Sequence, residues 1–115
     1  MALPEAGPAT RTGAKARLSI DDAIDDDAID DVVDAVNALV RQWPVSERVA
    51  HLDLAHWPAN IVTGANMLAA RLWRRRDSPA GVVAFGDAGA AYVQRNDPDV
   101  AMLLELGAYA RPAVG

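Results

Sequence analysis

Between residues 21 and 44, "DDAIDDDAIDDVVDAVNALVRQWP", the chain places Ile29, Val32, Val33, Val36, Leu39, Val40 and Trp43 at spacings of three and four. That period makes one apolar stripe on a helix, with Asp27, Asp30, Asp31 and Asp34 on the other side. Asp21 or Asp22 is positioned to cap the first amides, and carboxylates in the opening turns suit the positive end of the helix dipole. Pro44 ends the run, because the residue before a proline is pushed out of helical geometry. A second long helix is predicted from Pro58 to the stop at Pro79, with Ile61, Val62, Ala65, Leu68, Ala69 and Leu72 inward. Gly64 and the alanines of that face would let another backbone come close.

The period then changes. Val82, Val83 and Phe85 precede Gly86-Asp87-Ala88-Gly89, and Tyr92 and Val93 follow, which predicts a β-hairpin or an extended loop around a tight turn. The stretch from Asp97 to Gly107 returns to helix, with Asp97 as cap, Pro98 at the first position, Asp99 beside the dipole and Gly107 as the stop. "AKARLSI" (residues 14–20) suits a short helical turn that tucks Leu18 and Ile20 onto the core. "VSERVAHLDLAH" (45–56) fits a short helix or a loop. The fold class expected is mainly α: a small helical bundle with two long helices, a short β-hairpin or extended loop, and a short C-terminal helix. Three parts are expected: a mobile N-terminal arm (1–13), a helical domain (14–107) and a C-terminal tail (108–115), since both ends carry proline, glycine and alanine with little apolar bulk.

Composition narrows the function. The 115 residues suit one domain, and abundant alanine with few aromatic residues suits packed helices. There is no cysteine, which excludes disulfides, thiol catalysis and cysteine-based zinc sites. No signal-like h-region or membrane-spanning apolar run is expected. The net charge of −5 gives no general affinity for nucleic acid. It is unevenly spread: residues 1–56 hold five Lys/Arg and eleven Asp/Glu, net −6, whereas residues 57–115 hold six and five, net +1. Such asymmetry suits stacking of acidic on basic faces, another copy of the chain included.

Candidate chemistry is sparse. His51, Asp53 and His56 diverge on a helix and lack a completing ligand, so a metal site is disfavoured. The eight aspartates between 21 and 34 do not follow the EF-hand pattern. They fit a solvated helix face, or an acidic wall that meets a neighbour or lets DNA pass without sticking. Gly86–Gly89 matches no phosphate loop. Arg71, Arg74, Arg75 and Arg76 have three readings: a solvated helix end, an incomplete DNA grip, or a surface that docks protein carboxylates. No catalytic set is suggested, and neither a catalytic residue nor a cofactor is assigned.

One resemblance organises these features. The run "ANMLAARLWRRRDSPAGVVAFGDAGAAYVQRNDPDVAMLLELGAYARPAVG" carries an arginine-rich helix end (Arg74–Arg76), Ser78-Pro79-Ala80-Gly81, a turn from Phe85 to Gly89, the Tyr92-Val93 pair, Asp97–Val100, and a closing Arg111–Gly115. It resembles the head-to-tail connector, or adaptor, proteins of long-tailed bacteriophages of the type that infects actinobacteria. The resemblance implies a structural, non-enzymatic virion protein. It would form a ring, a dodecamer, below the portal, connect head to tail, extend the DNA channel and dock a stopper or tail-completion protein. DNA would pass without sequence-specific binding, and no membrane would take part. Such a protein would sit in the virion neck and in the host cytoplasm during assembly. Arg71, Arg74, Arg75, Arg76, Tyr109 and Arg111 are then the expected protein interface, and Asp27, Asp30, Asp31 and Asp34 the expected channel-facing or inter-subunit acids. The alternative is a small helical DNA-binding or packaging-accessory protein.

Overall fold

The computed structural model describes residues 2–76 and 89–111. Among them the chain is helical: α1 (Arg11–Leu18), α2 (Asp26–Gln42), α3 (Pro44–Leu52), α4 (Ala59–Arg74), α5 (Gly89–Asn96) and α6 (Pro98–Leu103), followed by a 3-10 turn at Gly107–Tyr109. No described residue is in a strand. No described helix is long and apolar enough to cross a membrane.

The core follows the apolar period. On α2, Ile29, Val33, Val36, Leu39 and Val40 are buried, and Val32 is half-buried. On α4, Ile61, Ala65, Leu68, Ala69 and Leu72 are buried. Helix α4 lies centrally, with α1, α2 and α6 packed against it. Its small residues set how near α6 comes: a Cβ on Gly64 would lie 2.9 Å from Leu103 Cβ and 3.0 Å from Leu104 Cγ. The close approach expected at Gly64 is thus made by the chain's own last helix. Residues 45–52 belong to α3, which settles their ambiguity in favour of helix, and Trp43 joins α2 to α3 in extended conformation just before Pro44.

Four local expectations are corrected. Neither Asp21 nor Asp22 caps α2, which starts later, at Asp26; the Asp22 carboxylate instead accepts from the Ile24 amide at 3.1 Å. Tyr92 and Val93 are not strand residues but the buried face of α5. The remainder of the expected hairpin, residues 82–88, lies outside the described residues. Helix α6 ends at Leu103, not at Gly107. Its end is a left-handed turn at Glu105 (φ 58°), where the Leu106 amide reaches back to the Ala101 carbonyl at 2.9 Å.

The N-terminal segment is the fourth. Rather than standing off as an arm, residues 2–10 lie against the body, with Pro4, Pro8 and Ala9 buried. Of the C-terminal tail, residues 112–115 lie outside the described residues, and Ala108 to Arg111 are exposed.

Candidate functional site

The arginines at the end of α4 are the first candidates. Helical spacing separates them onto different surfaces, and the fold treats them differently. Arg75 meets Asp97 through two parallel hydrogen bonds, Nη1 to Oδ2 at 2.7 Å and Nη2 to Oδ1 at 2.8 Å. Arg71 reaches Asp97 Oδ1 at 3.0 Å and also grips both oxygens of Asp99, at 2.7 and 2.6 Å. Asp97 is 1% exposed. Burial pushes its carboxyl up, but the hydrogen bonds and charges of Arg75 and Arg71 outweigh that and hold it below the usual range. The Arg71 hydrogen bonds hold Asp99 down to about 2. Tyr92 completes the cluster, its hydroxyl 3.3 Å from Arg75 Nη1 and its ring 5.8 Å from the guanidinium carbon.

Arg71 and Arg75 are therefore engaged inside the fold, fastening α4 to the start of α6. Asp97 does precede α6, but its side chain makes no capping hydrogen bond. Arg74 and Arg76 are exposed. Arg74 donates to the Arg17 carbonyl at 3.1 Å. Arg76 lies over the Trp73 ring at 3.8 Å and donates to the Trp73 carbonyl at 2.7 Å. Arg17, Met67, Ala70, Arg71 and Arg74 line a cleft of about 170 Å³. Tyr109 is 45% exposed in the 3-10 turn, and Arg111 is exposed two residues on.

The acidic candidates also divide. Asp30 accepts from Arg11 Nε at 2.9 Å and pairs with the same guanidinium through its second oxygen, which lowers its pKa. Asp26, which was not singled out, pairs with Lys15 at 2.7 Å. Together these pairs tie α1 to α2. Asp27, Asp31 and Asp34 are exposed, at spacings of four and three along α2, and hydrogen-bond to no described residue. Among the described residues no group of three or more His, Asp or Glu is arranged to hold a metal ion. Ile24, Leu52, Leu54, Met102 and Tyr109 are exposed large apolar residues.

Two polar constellations were not anticipated. Glu105, 2% exposed, receives Arg48 Nε at 2.7 Å and Nη2 at 2.5 Å, with Asn60 Nδ2 at 3.1 Å. Asn60 also donates to the Leu103 carbonyl at 2.8 Å. This set joins α3, α4 and the end of α6. The second is a row of side chains that hold the N-terminal backbone: Asn37, Arg41, Asp53, Trp57 and Asn66. The available signal was an asparagine inside each apolar helix, at 37 and 66, where a polar side chain needs a partner once buried.

The chain matches no protein-family model, no curated protein and no solved structure.

Proposed function

We propose that this chain is a structural subunit of a phage head-to-tail connector: a ring, dodecameric in this reading, that sits below the portal, extends the DNA channel and docks the next neck protein. In this reading α2 and α4 are the two long helices of the bundle, and the protein works without catalysis. One observation carries it beyond the sequence resemblance. The carboxylates of Asp27, Asp31 and Asp34 are exposed along α2, whereas Arg74 and Arg76 are exposed at the end of α4, Arg74 bonded to the Arg17 carbonyl of α1 and Arg76 lying over Trp73. A closed ring needs two different side surfaces that meet head to tail, and these two groups supply complementary charge.

The docking surface proposed here is narrower than the arginine cluster as a whole. Arg74, Arg76, Tyr109 and Arg111 present side chains outward, whereas Arg71 and Arg75 support the fold. Engagement of those two by Asp97 and Asp99 also weakens the DNA-binding alternative, which needs guanidinium groups free to meet phosphates. Imaging of the neck in tailed particles is the direct test. Density for this chain as a ring between portal and tail is the expected result; its presence at another place in the particle, or its absence from the particle, overturns the reading.

A further inference from the structure

Arg17 and Arg74 share one cleft although they lie on different helices. On α4, Met67, Ala70, Arg71 and Arg74 follow one another at spacings of three and four, which puts them on one face. Helix α1 packs closely on α4: a Cβ on Gly13 would fall 2.5 Å from Asn66 Cγ. One helical turn beyond Gly13 comes Arg17, whose carbonyl accepts from Arg74 Nη2 at 3.1 Å. Arg17, Met67, Ala70, Arg71 and Arg74 thereby line a cleft of about 170 Å³. Ala70 is buried and Met67 half-buried, so the wall between the arginines is apolar.

Among the described residues the charges of that cleft do not balance. Arg71 and Arg75 are answered by Asp97 and Asp99. Arg17 and Arg74 are exposed, and neither meets a described carboxylate. Their places in the last turns of α1 and α4 suit the helix dipoles, but carbonyls at both ends already have main-chain donors. The Ser19 and Ile20 amides bond the Ala16 and Lys15 carbonyls at 3.4 and 3.1 Å, and the Arg75 amide bonds those of Arg71 and Leu72 at 3.1 Å. Arg74 spends one nitrogen on the Arg17 carbonyl, and the Arg17 guanidinium donates to no described residue. Two like charges at one cleft repel each other, and an anion between them relieves that repulsion. Guanidinium groups grip a carboxylate through paired N–H donors.

We infer that this cleft is a binding site for a carboxylate carried on a short apolar stem, with Arg17 and Arg74 on the charge and Met67 and Ala70 beside the stem. Arg71 adds positive charge to the wall while its own donors hold Asp97 and Asp99. A nucleic-acid backbone fits less well, because it needs a row of cations. Here the neighbouring Arg71 already holds Asp99, whose side chain is 50% exposed and would face the phosphates. A free dicarboxylic acid and an aspartate or glutamate side chain share the chemistry that the cleft recognises. Within this chain the acids of fitting charge are Asp27, Asp31 and Asp34, which are exposed on α2 and hydrogen-bond to no described residue. The site is tested on the isolated chain, apart from the connector reading.

Glutarate is the probe, titrated into the full-length chain at constant ionic strength while NMR follows the arginine Nε–Hε signals. Saturable shifts at Arg17 and Arg74 are expected at roughly millimolar glutarate, the scale open to so small a ligand. Arg17→Gln breaks no hydrogen bond of its side chain to a described residue, so the thermal midpoint should stay while binding weakens by about tenfold or more. Arg95→Gln, on α5 and not part of the cleft wall, should bind as the parent does. The uncharged diamide of glutaric acid should not bind. A dilution series separates the sources of the carboxylate. Shifts of the same two signals that grow with protein concentration, and vanish in the Asp27→Asn/Asp31→Asn/Asp34→Asn chain, assign it to a second copy. Glutarate binding without that concentration dependence assigns it to a separate molecule. No saturable shift at Arg17 and Arg74, binding unmoved by Arg17→Gln, or inorganic phosphate bound as tightly as glutarate would each overturn the site, the last by showing that the apolar wall contributes nothing.

Discussion

Arg75 and Asp97 are 22 residues apart in sequence, yet their side chains meet through two parallel hydrogen bonds of 2.7 and 2.8 Å, with the carboxylate almost wholly out of solvent. Arg71 shares the same carboxylate at 3.0 Å. Two guanidinium groups on one buried aspartate join the last turns of α4 to the start of α6. Removing the acid leaves two cations against a closed surface. Asp97→Ala should therefore destabilise the fold by about 3 kcal/mol, the low end for a broken buried pair because the arginines keep partial contact with water. Asp99→Ala removes an exposed partner and should cost only ~0–1 kcal/mol. Urea unfolding of the two variants checks the contrast, and equal losses would show that burial of Asp97 adds nothing.

Acid should act through the same cluster. Asp97 and Asp99 both titrate below their ordinary range when folded, Asp99 at about 2. A carboxylate depressed in the folded state adds stability that is fully present above its unfolded pKa, about 4, and is lost as pH falls through the folded value. Unfolding free energy should hold steady above about pH 5 and decline between about pH 4 and 2. Asp97→Asn should flatten that decline. The measurement is a series of denaturant melts from neutral to acid pH.

Legibility in the sequence tracked the range of the interactions. The stripes of α2 and α4 repeat at helical spacing, so local pattern was enough to place them. Val82, Val83 and Phe85 lent a period of two to the segment that follows α4. Yet Gly89, Tyr92, Val93 and Asn96 already had the three-and-four spacing that α5 adopts. Asp97 before Pro98 has the pattern of a cap, and only the tertiary fold shows its carboxylate turned toward arginines more than twenty residues earlier. The N-terminal segment has the composition of a free arm. What seats it are Asn37, Arg41 and Trp57, none of which is visible in the segment itself. Of the expected interface, exposure could not be read from arginine identity: adjacent residues 74, 75 and 76 point respectively to Arg17, to Asp97 and over Trp73.

Gly64 gives a prediction of a different kind, about volume. A methyl group there would sit 2.9 Å from Leu103 Cβ and 3.0 Å from Leu104 Cγ. Helix propensity favours alanine over glycine by about 1 kcal/mol, which opposes the clash. Overpacking a tight core typically costs about 1–3 kcal/mol. Leu103 is held through its own main chain near its Cβ, so it cannot rotate away. Gly64→Ala should come out net destabilising, by about 1 kcal/mol, and Gly64→Val by clearly more. A thermal melt in which Gly64→Ala raised the midpoint would mean that α6 shifts freely on α4.

The docking prediction turns on choosing arginines whose loss spares the fold. Charge reversal at Arg75 is uninformative, because it sets two acids face to face across Asp97 and should unfold the α4–α6 junction. Arg74 and Arg76 are exposed, and among the described residues their hydrogen bonds go to main-chain carbonyls, with Arg76 also lying over the Trp73 ring. Each is worth little to stability, of order 0.5–1.5 kcal/mol. The double variant Arg74→Glu, Arg76→Glu should therefore melt close to the parent. In the connector reading it should still fail to join heads to tails, since truncating or reversing one partner of an interfacial charge pair costs about 2–5 kcal/mol of binding. Joining should fall by at least about tenfold for each 1.4 kcal/mol lost. The assay counts joined particles after complementation with each variant. A compensating reversal at Asp27, Asp31 or Asp34 that restored joining would identify the two surfaces as partners. Normal joining by a folded double variant would place the contact elsewhere and leave these arginines as an ordinary solvated helix end.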